Sequence, residues 1–474
     1  MFRCSAILLI LCWGSIAAAQ SDPKTDYKAA YLSGDFEKCE ELTTKAIAVN
    51  PKDHAAYYFR ASARVEIGFI NHDSKQLRSG IEDARESLKI GGSSNVDYYL
   101  PYLLGMISLS VNEQKREFAE TALEQSKNVL SRASITPEQR ANIQYQRGTA
   151  HMVLSDMNAA VEEFQQAIKA FPKHIGSYMK MAECFEITGQ SDKALAAFTS
   201  AIEAFPDSQL AYNNRGLFLQ KQNKLPESLA DLTKAIEIDK SFALAYTNRG
   251  YSYQKMGQLQ TAEADFTKAL SLETKNPIIS SLRGSCRVLQ GNAAGAIEDY
   301  TRAIQLDPRN YVAYADLGFA KFFSRDYAGA ISSFDQSSKM NPEGMRFLNP
   351  WRIWARTLSG STDGIAELVA ASADKPEKDR DWIDEQVLFI GGKLSEKALV
   401  EFVSKEANPN MTKEQLESLK NGELCEAYFF IAELRSKVKD TANAEAFYKQ
   451  VLLTKQTHLS AFRAAQFALN SFGG

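Results

Sequence analysis

The chain has 474 residues, 45% of them hydrophobic and 24% charged, with a formal net charge of −3. That balance excludes an intrinsically disordered chain, and it lacks the basic excess that a nucleic-acid-binding face requires. A single globule of this length would divide into domains, whereas a stack of repeats need not, because each unit packs only on its neighbours.

Residues 1–19 have the pattern of an export signal. Arg3 precedes an apolar run at residues 7–13, and Ala17-Ala18-Ala19 supplies small residues before an expected cleavage after Ala19. The run is too short for an ordinary spanning helix, and no later segment is apolar enough to cross a bilayer. Cys12 follows the bulky Leu9, Ile10 and Leu11, which argues against lipidation, so no lipid anchor is expected. These features predict an exported protein, periplasmic or secreted. Cys4 and Cys12 would leave with the signal, while Cys39, Cys184, Cys286 and Cys425 remain. Cys184 and Cys286 hold the same position in repeats three units apart, too far for the reach of about 7 Å that a disulfide needs. Four buried free thiols are the expectation.

Residues 20–140 hold degenerate helix pairs. In the first, Tyr27, Ala30 and Tyr31 share a helical face, Gly34-Asp35 turns the chain, and Cys39, Ala46 and Pro51 follow. The second begins near His54, with Tyr57 and Ala61, but its second helix arrives late, at Gly80, Ala84 and Ser87. About seven extra residues at 69–79 predict a polar surface loop. Gly91-Gly92-Ser93-Ser94 breaks the chain, and Pro101, Gly105, Ala119 and Leu123 mark a third pair. Thr136 is placed to cap a helix that opens with Pro137.

Residues 141–344 repeat one pattern six times. Gly148, Ala160, Phe164, Ala167 and Pro172 return as Ala182, Ala194, Phe198, Ala201 and Pro206. They return again through Gly216, Gly250, Gly284 and Gly318, with Phe266, Tyr300 and Phe334 in the aromatic role. The step is about 34 residues. The small residues allow two helices to approach closely, and the aromatic side chains fill the space between units. Gly189, Gly257 and Gly291 sit in the turns between paired helices. Pro172, Pro206, Pro308 and Pro342 end the second helix of their units.

The period fails at 345–424. Trp351, Trp354 and Leu358 share a helical face, residues 374–381 form a charged connection, and residues 382–403 are helical with a break at Gly391-Gly392. At 425–474 the period recovers. Tyr428, Ala432, Ala444, Tyr448 and Val451 fit a final unit, with residues 461–469 as a capping helix.

No catalytic constellation accompanies these repeats. His54, His72, His151, His174 and His458 lack metal-ligand spacing, and Gly360-Ser361-Thr362-Asp363-Gly364 misplaces its serine for a nucleophile elbow. Neither an enzymatic activity nor a cofactor is expected. Asn410-Met411-Thr412 is a formal glycosylation sequon, read as a chance match.

The repeats resemble the tetratricopeptide (TPR) family. Tyr212-Asn213-Asn214-Arg215-Gly216 and Tyr246-Thr247-Asn248-Arg249-Gly250 are typical openings of its first helix. The resemblance implies an all-α fold: a right-handed superhelix, or α-solenoid, of helix pairs, here with an irregular helical insert before the last repeat. It implies a scaffold that binds proteins or peptides in a concave groove. Trp382-Ile383, Phe389-Ile390-Gly391-Gly392 and the stretch at 424–433 resemble the closing region of exported bacterial TPR proteins of the NlpI lipoprotein type. That likeness implies a cell-envelope adaptor, often dimeric, which docks hydrolases and a protease.

In this family, positions 2, 5, 9 and 12 of the first helix line the groove. They are here Leu210, Asn213, Leu217 and Gln220, then Leu244, Thr247, Tyr251 and Gln254. Ile278, Ser281, Ser285 and Val288 follow, and then Val312, Ala315, Phe319 and Phe322. Almost no Lys or Arg appears among them, which argues against a clamp for a charged carboxylate. Asn213, Asn214 and Asn248 could hydrogen-bond a peptide backbone, or serve packing between repeats. Leu217, Tyr251, Val288, Phe319 and Phe322 would anchor apolar side chains. The aromatic end has two readings: an open binding patch, or core covered by the chain after Gly344. The expected function is a non-enzymatic exported scaffold for a protein or peptide partner. Self-association into a homodimer through the groove or the N-terminal units is the alternative.

Overall fold

The structure is a computed structural model, which describes residues 26–91, 95–132, 134–403 and 413–456, with 461, 464–466, 468 and 469. The expected signal at 1–19, the sequon, His458 and much of the expected capping helix lie outside the described residues. The chain forms two compact units, one ending at Lys240 and one beginning at Ser241.

The first unit contains α1 (Asp26–Leu32), α2 (Phe36–Val49), α3 (His54–Ile70), α4 (Ser74–Gly91), α5 (Tyr99–Glu113) and α6 (Arg116–Leu130). It continues with α7 (Pro137–Val153), α8 (Met157–Ala170), α9 (Ile175–Ile187), α10 (Ser191–Ala204), α11 (Gln209–Lys221) and α12 (Leu225–Ile238). The helices begin where side chains can satisfy otherwise unpaired backbone donors. Asp35, Asp53, Asp156 and Ser208 each accept from the amide three residues on. Thr136 forms a complete capping box with Gln139, with Pro137 in the first turn.

The second pair departs from the sequence expectation. No polar loop spans 69–79. The extra residues instead lengthen both helices, to 17 residues in α3 and 18 in α4, against 13 and 14 in a regular pair such as α11 and α12. Four added residues are close to one full turn of about 3.6. The insertion therefore keeps the buried face in phase, and Leu77, Ile81 and Ala84 stay in the core. Gly68 and Gly80 let the two long helices touch. A Cβ on either would lie 2.8 Å from Leu77 or Val65, respectively.

The second unit holds α13 (Ala243–Lys255), α14 (Leu259–Leu272), α15 (Pro277–Leu289), α16 (Ala293–Leu306), α17 (Tyr311–Phe323) and α18 (Tyr327–Met340). Then come α19 (Asn349–Ser359), α20 (Ile365–Ala373), α21 (Trp382–Ile390), α22 (Glu396–Phe402), α23 (Lys413–Lys437) and α24 (Thr441–Leu453). The helix of the final pair thus begins at Lys413, ahead of the expected Cys425. No strand occurs among the described residues.

The repeat rule is visible in the close contacts. A Cβ on Gly148 would lie 2.5 Å from the Phe164 ring, one on Gly250 2.9 Å from Phe266, and one on Gly318 2.4 Å from Phe334. The small residue is therefore required by the aromatic side chain of its own pair. Cys39, Cys184, Cys286 and Cys425 are free and buried. Burial pushes the Cys39 and Cys184 thiols up to about 12, which leaves them unreactive.

Candidate partner-binding surface

Four first helices, α7, α11, α13 and α15, are each tied to their own second helix by an ion pair. Arg215 reaches Asp231 at 2.7 Å, Arg249 reaches Asp265 at 2.8 Å, and Arg283 reaches Asp299 at 2.6 Å. Arg147 makes the equivalent contact to Glu163 at 2.7 Å. Arg215 and Arg283 also donate to Thr199 and Thr267 of the preceding second helices, at 3.3 and 3.2 Å. Of these arginines, Arg215 and Arg249 stand in the first-helix openings quoted from the sequence, without a partner assigned to either. Their signal was present as an Arg before the repeat glycine and an acidic residue 16 positions later. These pairs constrain the rotation of the four helices, α13 and α15 among them, and so hold their opposite faces in place.

In the first unit the proposed asparagines turn out to be packing groups. Asn213 is fully buried, and its Nδ2 donates to Asn214 Oδ1 at 3.3 Å. Asn214 Nδ2 in turn donates to Met179 Sδ at 3.1 Å, and Leu217 is half-buried. Asn213 therefore offers nothing to a partner in this conformation.

In the second unit the aromatic end is closed. Phe319 and Phe322 are 8% and 6% exposed. Trp351 from α19 meets both edge-on, at 5.1 and 5.4 Å, and stacks on Phe429 of α23 at 5.1 Å. Val288 is buried as well. These three residues are core, which corrects their assignment as partner contacts. Pairs of this geometry add to the area that the rings bury, so the closing segment gains more from covering the patch than from leaving it open.

An open surface remains on α13, α15 and α17. Tyr251 is exposed, Asn248 is half-buried, and Ile278 and Val312 are 62% and 48% exposed. Ile278 and Val312 hold the same position in consecutive repeats, so they form a short aliphatic row. Between them and Tyr251 lies a neutral polar strip, where Gln254 Nε2 donates to Ser285 Oγ at 3.3 Å. Among the described residues, Gln254 Oε1 and Ser281 Oγ are enclosed without a hydrogen-bond partner. Lys255 Nζ lies 5.3 Å from the Tyr251 ring centroid.

The described histidines are not grouped around a metal site. Among the described residues, no group of three or more His, Cys, Asp or Glu side chains could hold one. His174 is a buried helix cap instead. Its Nδ1 accepts from Ser177 N at 3.2 Å, its Nε2 lies 3.1 Å from Asn142 Oδ1, and burial lowers it to about 4. No described helix is long and apolar enough to cross a membrane.

Family profiles described as tetratricopeptide repeat match residues 145–206 and 243–276, and one described as TPR repeat matches 219–257. No curated protein matches the chain. Solved structures with similar helix stacks include PilW, a type IV pilus biogenesis factor, at 24% identity and TM-score 0.39, covering 43% of this chain and 94% of that one. PilF of Pseudomonas aeruginosa is 18% identical at TM-score 0.39, covering 44% and 94%. YrrB, described as a TPR protein with an unusual peptide-binding site, is 19% identical at TM-score 0.33, covering 39% and 95%. The chain carries tetratricopeptide repeats, arranged as an all-α solenoid of helix pairs.

Proposed function

We propose that this protein is a non-enzymatic scaffold whose second unit binds an uncharged, apolar-rich peptide segment of a protein partner. The observation that carries this reading is the exposed row of Ile278 and Val312 beside Tyr251. Isolated exposed aliphatic residues are ordinary, but here two recur at one repeat position next to an aromatic ring and a neutral polar strip. The near absence of Lys and Arg from the face favours an uncharged occupant. Apolar anchors with a few neutral hydrogen-bonding groups are the usual make-up of peptide-recognition surfaces. The signal-like residues 1–19 support export, with cleavage near Ala19, and the likeness at 424–433 supports work in a cell envelope.

The test is crosslinking pull-down from the native host with the full chain, comparing wild type with Ile278→Asp and Tyr251→Ala. The expected result is loss of the captured partner in both variants with unchanged helical circular dichroism. Equal capture by the folded variants would remove this face from consideration. If the captured species is a second copy of the chain, and light scattering shows a dimer that the same substitutions dissociate, the surface serves self-association instead.

A further inference from the structure

The exposed face of the second unit has a period, and a period selects the form of the chain that can follow it. Leu244, Ile278 and Val312 hold the same position on α13, α15 and α17 at the repeat step. Leu244 is half-buried, and Ile278 and Val312 are 62% and 48% exposed. The three helices are close neighbours. Gln254 of α13 donates to Ser285 of α15 at 3.3 Å, and Val288 of α15 shares one buried cluster with Leu317 and Ala320 of α17. Helices packed in this way stand about 8–10 Å apart, so the row presents an aliphatic side chain at about that interval.

Three peptide forms could be laid along such a row. An extended strand repeats a face every second residue, about 7 Å, and is out of step by the next side chain. A polyproline II helix repeats a face every third residue, about 9 Å. An α-helix returns to the row after seven residues, about 10.5 Å. The hydroxyls of the face separate the last two. Tyr251 is 37% exposed, and Ser285 Oγ accepts from Gln254; among the described residues, neither hydroxyl donates to a protein acceptor. Each has a hydrogen to give to an occupant. An α-helix has closed its carbonyls within its own turns, whereas a polyproline II backbone leaves them free. Proline also lacks an N–H, so a proline-rich backbone calls for donors. Ile278, Val312, Tyr251, Ser285 and Gln254 are all uncharged, which matches an uncharged segment.

We propose that the second unit takes a proline-rich segment of a partner protein in the polyproline II conformation, with an aliphatic residue at every third position. Ile278 and Val312 each receive one of these residues, the Tyr251 ring offers a flat apolar surface to proline, and the Tyr251 and Ser285 hydroxyls donate to backbone carbonyls. This occupant rests on the assignment of the face as the partner surface.

The test is fluorescence anisotropy of the full chain with three short labelled peptides. One repeats Val-Pro-Pro, one has the same composition with valine at alternate positions, and one is an alanine-based helix with leucine at every seventh position. The Val-Pro-Pro peptide is expected to bind saturably, at least tenfold more tightly than either of the others. Ile278→Asp and Val312→Asp should each weaken it at least tenfold, and Tyr251→Phe, which keeps the ring and removes the donor, several-fold. All three positions are exposed, so the variants are expected to fold, and circular dichroism verifies it. No saturable binding of the Val-Pro-Pro peptide, equal binding of the alternating peptide, tighter binding of the helix, or unchanged affinity in both aspartate variants overturns the proposal. If Ile278→Asp loses the native partner while wild type ignores the Val-Pro-Pro peptide, the face stands and this occupant is wrong. If the variant keeps the native partner, the face itself is wrong.

Discussion

The regular repeats and the segment after Gly344 both bury aromatic rings and charged groups, yet they find the partners at very different distances along the chain. In the repeats one offset serves everything. Arg249 pairs with Asp265, and the next residue, Gly250, makes room for Phe266, each 16 positions on. After Gly344 the partners are remote. Trp354 Nε1 donates to Glu433, 79 residues away, at 2.9 Å, and Trp382 Nε1 donates to Glu426, 44 away, at 2.8 Å. Arg346 reaches Asp384, 38 residues on, at 2.6 Å. A local rule can be copied unit by unit. A non-local one must be built once, from side chains that only the folded chain brings together.

The largest expected effect tests the non-local half. Trp351 is 3% exposed and touches rings from α17 and α23. Trp351→Ala should lower the stability of the second unit by about 3–5 kcal/mol, the usual cost of emptying a buried aromatic site. Urea unfolding followed by circular dichroism measures it. A loss below about 1 kcal/mol would show that the segment does not depend on this ring, and the aromatic end would again qualify as an open surface.

Titration separates the two regions by sign. His174, in the repeats, is held at about 4 by burial, below its ordinary 6.5. The unfolded chain takes up the proton first, so the stabilisation is complete above 6.5 and is lost as pH falls from 6.5 to 4. The loss amounts to about 3 kcal/mol. His174→Asn keeps a capping side chain and should flatten the stability of the first unit across that window. An unchanged slope would mean that His174 is not buried as described. Glu426 and Glu433 are raised by burial, though each keeps indole donors. Their sign is opposite: the unfolded carboxyl ionises first, so stability falls as pH rises from 4.5 through the folded values.

The same contrast explains what could be seen in the sequence. The close approach at Gly148, Gly250 and Gly318 was legible because glycine and ring recur at a fixed offset. The loop expected at 69–79 was not a loop because an insertion of one turn per helix leaves the buried face in register, which position counting alone cannot distinguish from an excursion. Phe319 and Phe322 fell on groove positions by counting, and only Trp351 decides that they are core. Ile278 and Val312 were visible as lining residues. Their exposure depends on what fails to cover them, which no local pattern records.

A smaller effect tests the local half. Asp265→Ala leaves Arg249 without its bidentate partner in a contact where the two side chains are 9% and 18% exposed. The expected loss is about 1–3 kcal/mol, mostly the desolvation of the abandoned guanidinium. If the pair works chiefly as a rotational lock, Arg249→Met combined with Asp265→Leu should recover much of the stability but lose partner capture, because the helix that presents Tyr251 is no longer held. Retained capture by the double variant would reduce the pair to an incidental contact.

The smallest effect lies in the turns. Ser155, Gly189, Asn223, Gly257, Gly291 and Arg325 follow one another at the repeat spacing, and all have positive φ, from 58° at Asn223 to 80° at Gly291. The left-handed conformation is thus a requirement of the helix-to-helix turn, which glycine meets without strain and other residues meet at a cost of about 1–2 kcal/mol. Ser155 is exposed, with φ of 65°. Ser155→Gly removes the strain but adds freedom to the unfolded chain, so the net gain should be about 0.5–1 kcal/mol. Gly189→Ser, the reverse exchange one repeat later, should cost a similar amount. Thermal unfolding of the two variants would show shifts of opposite sign if turn geometry is shared from unit to unit. Shifts of the same sign would mean that each turn is set by its own surroundings, and the contrast between a copied rule and a single construction would then stop at the helices.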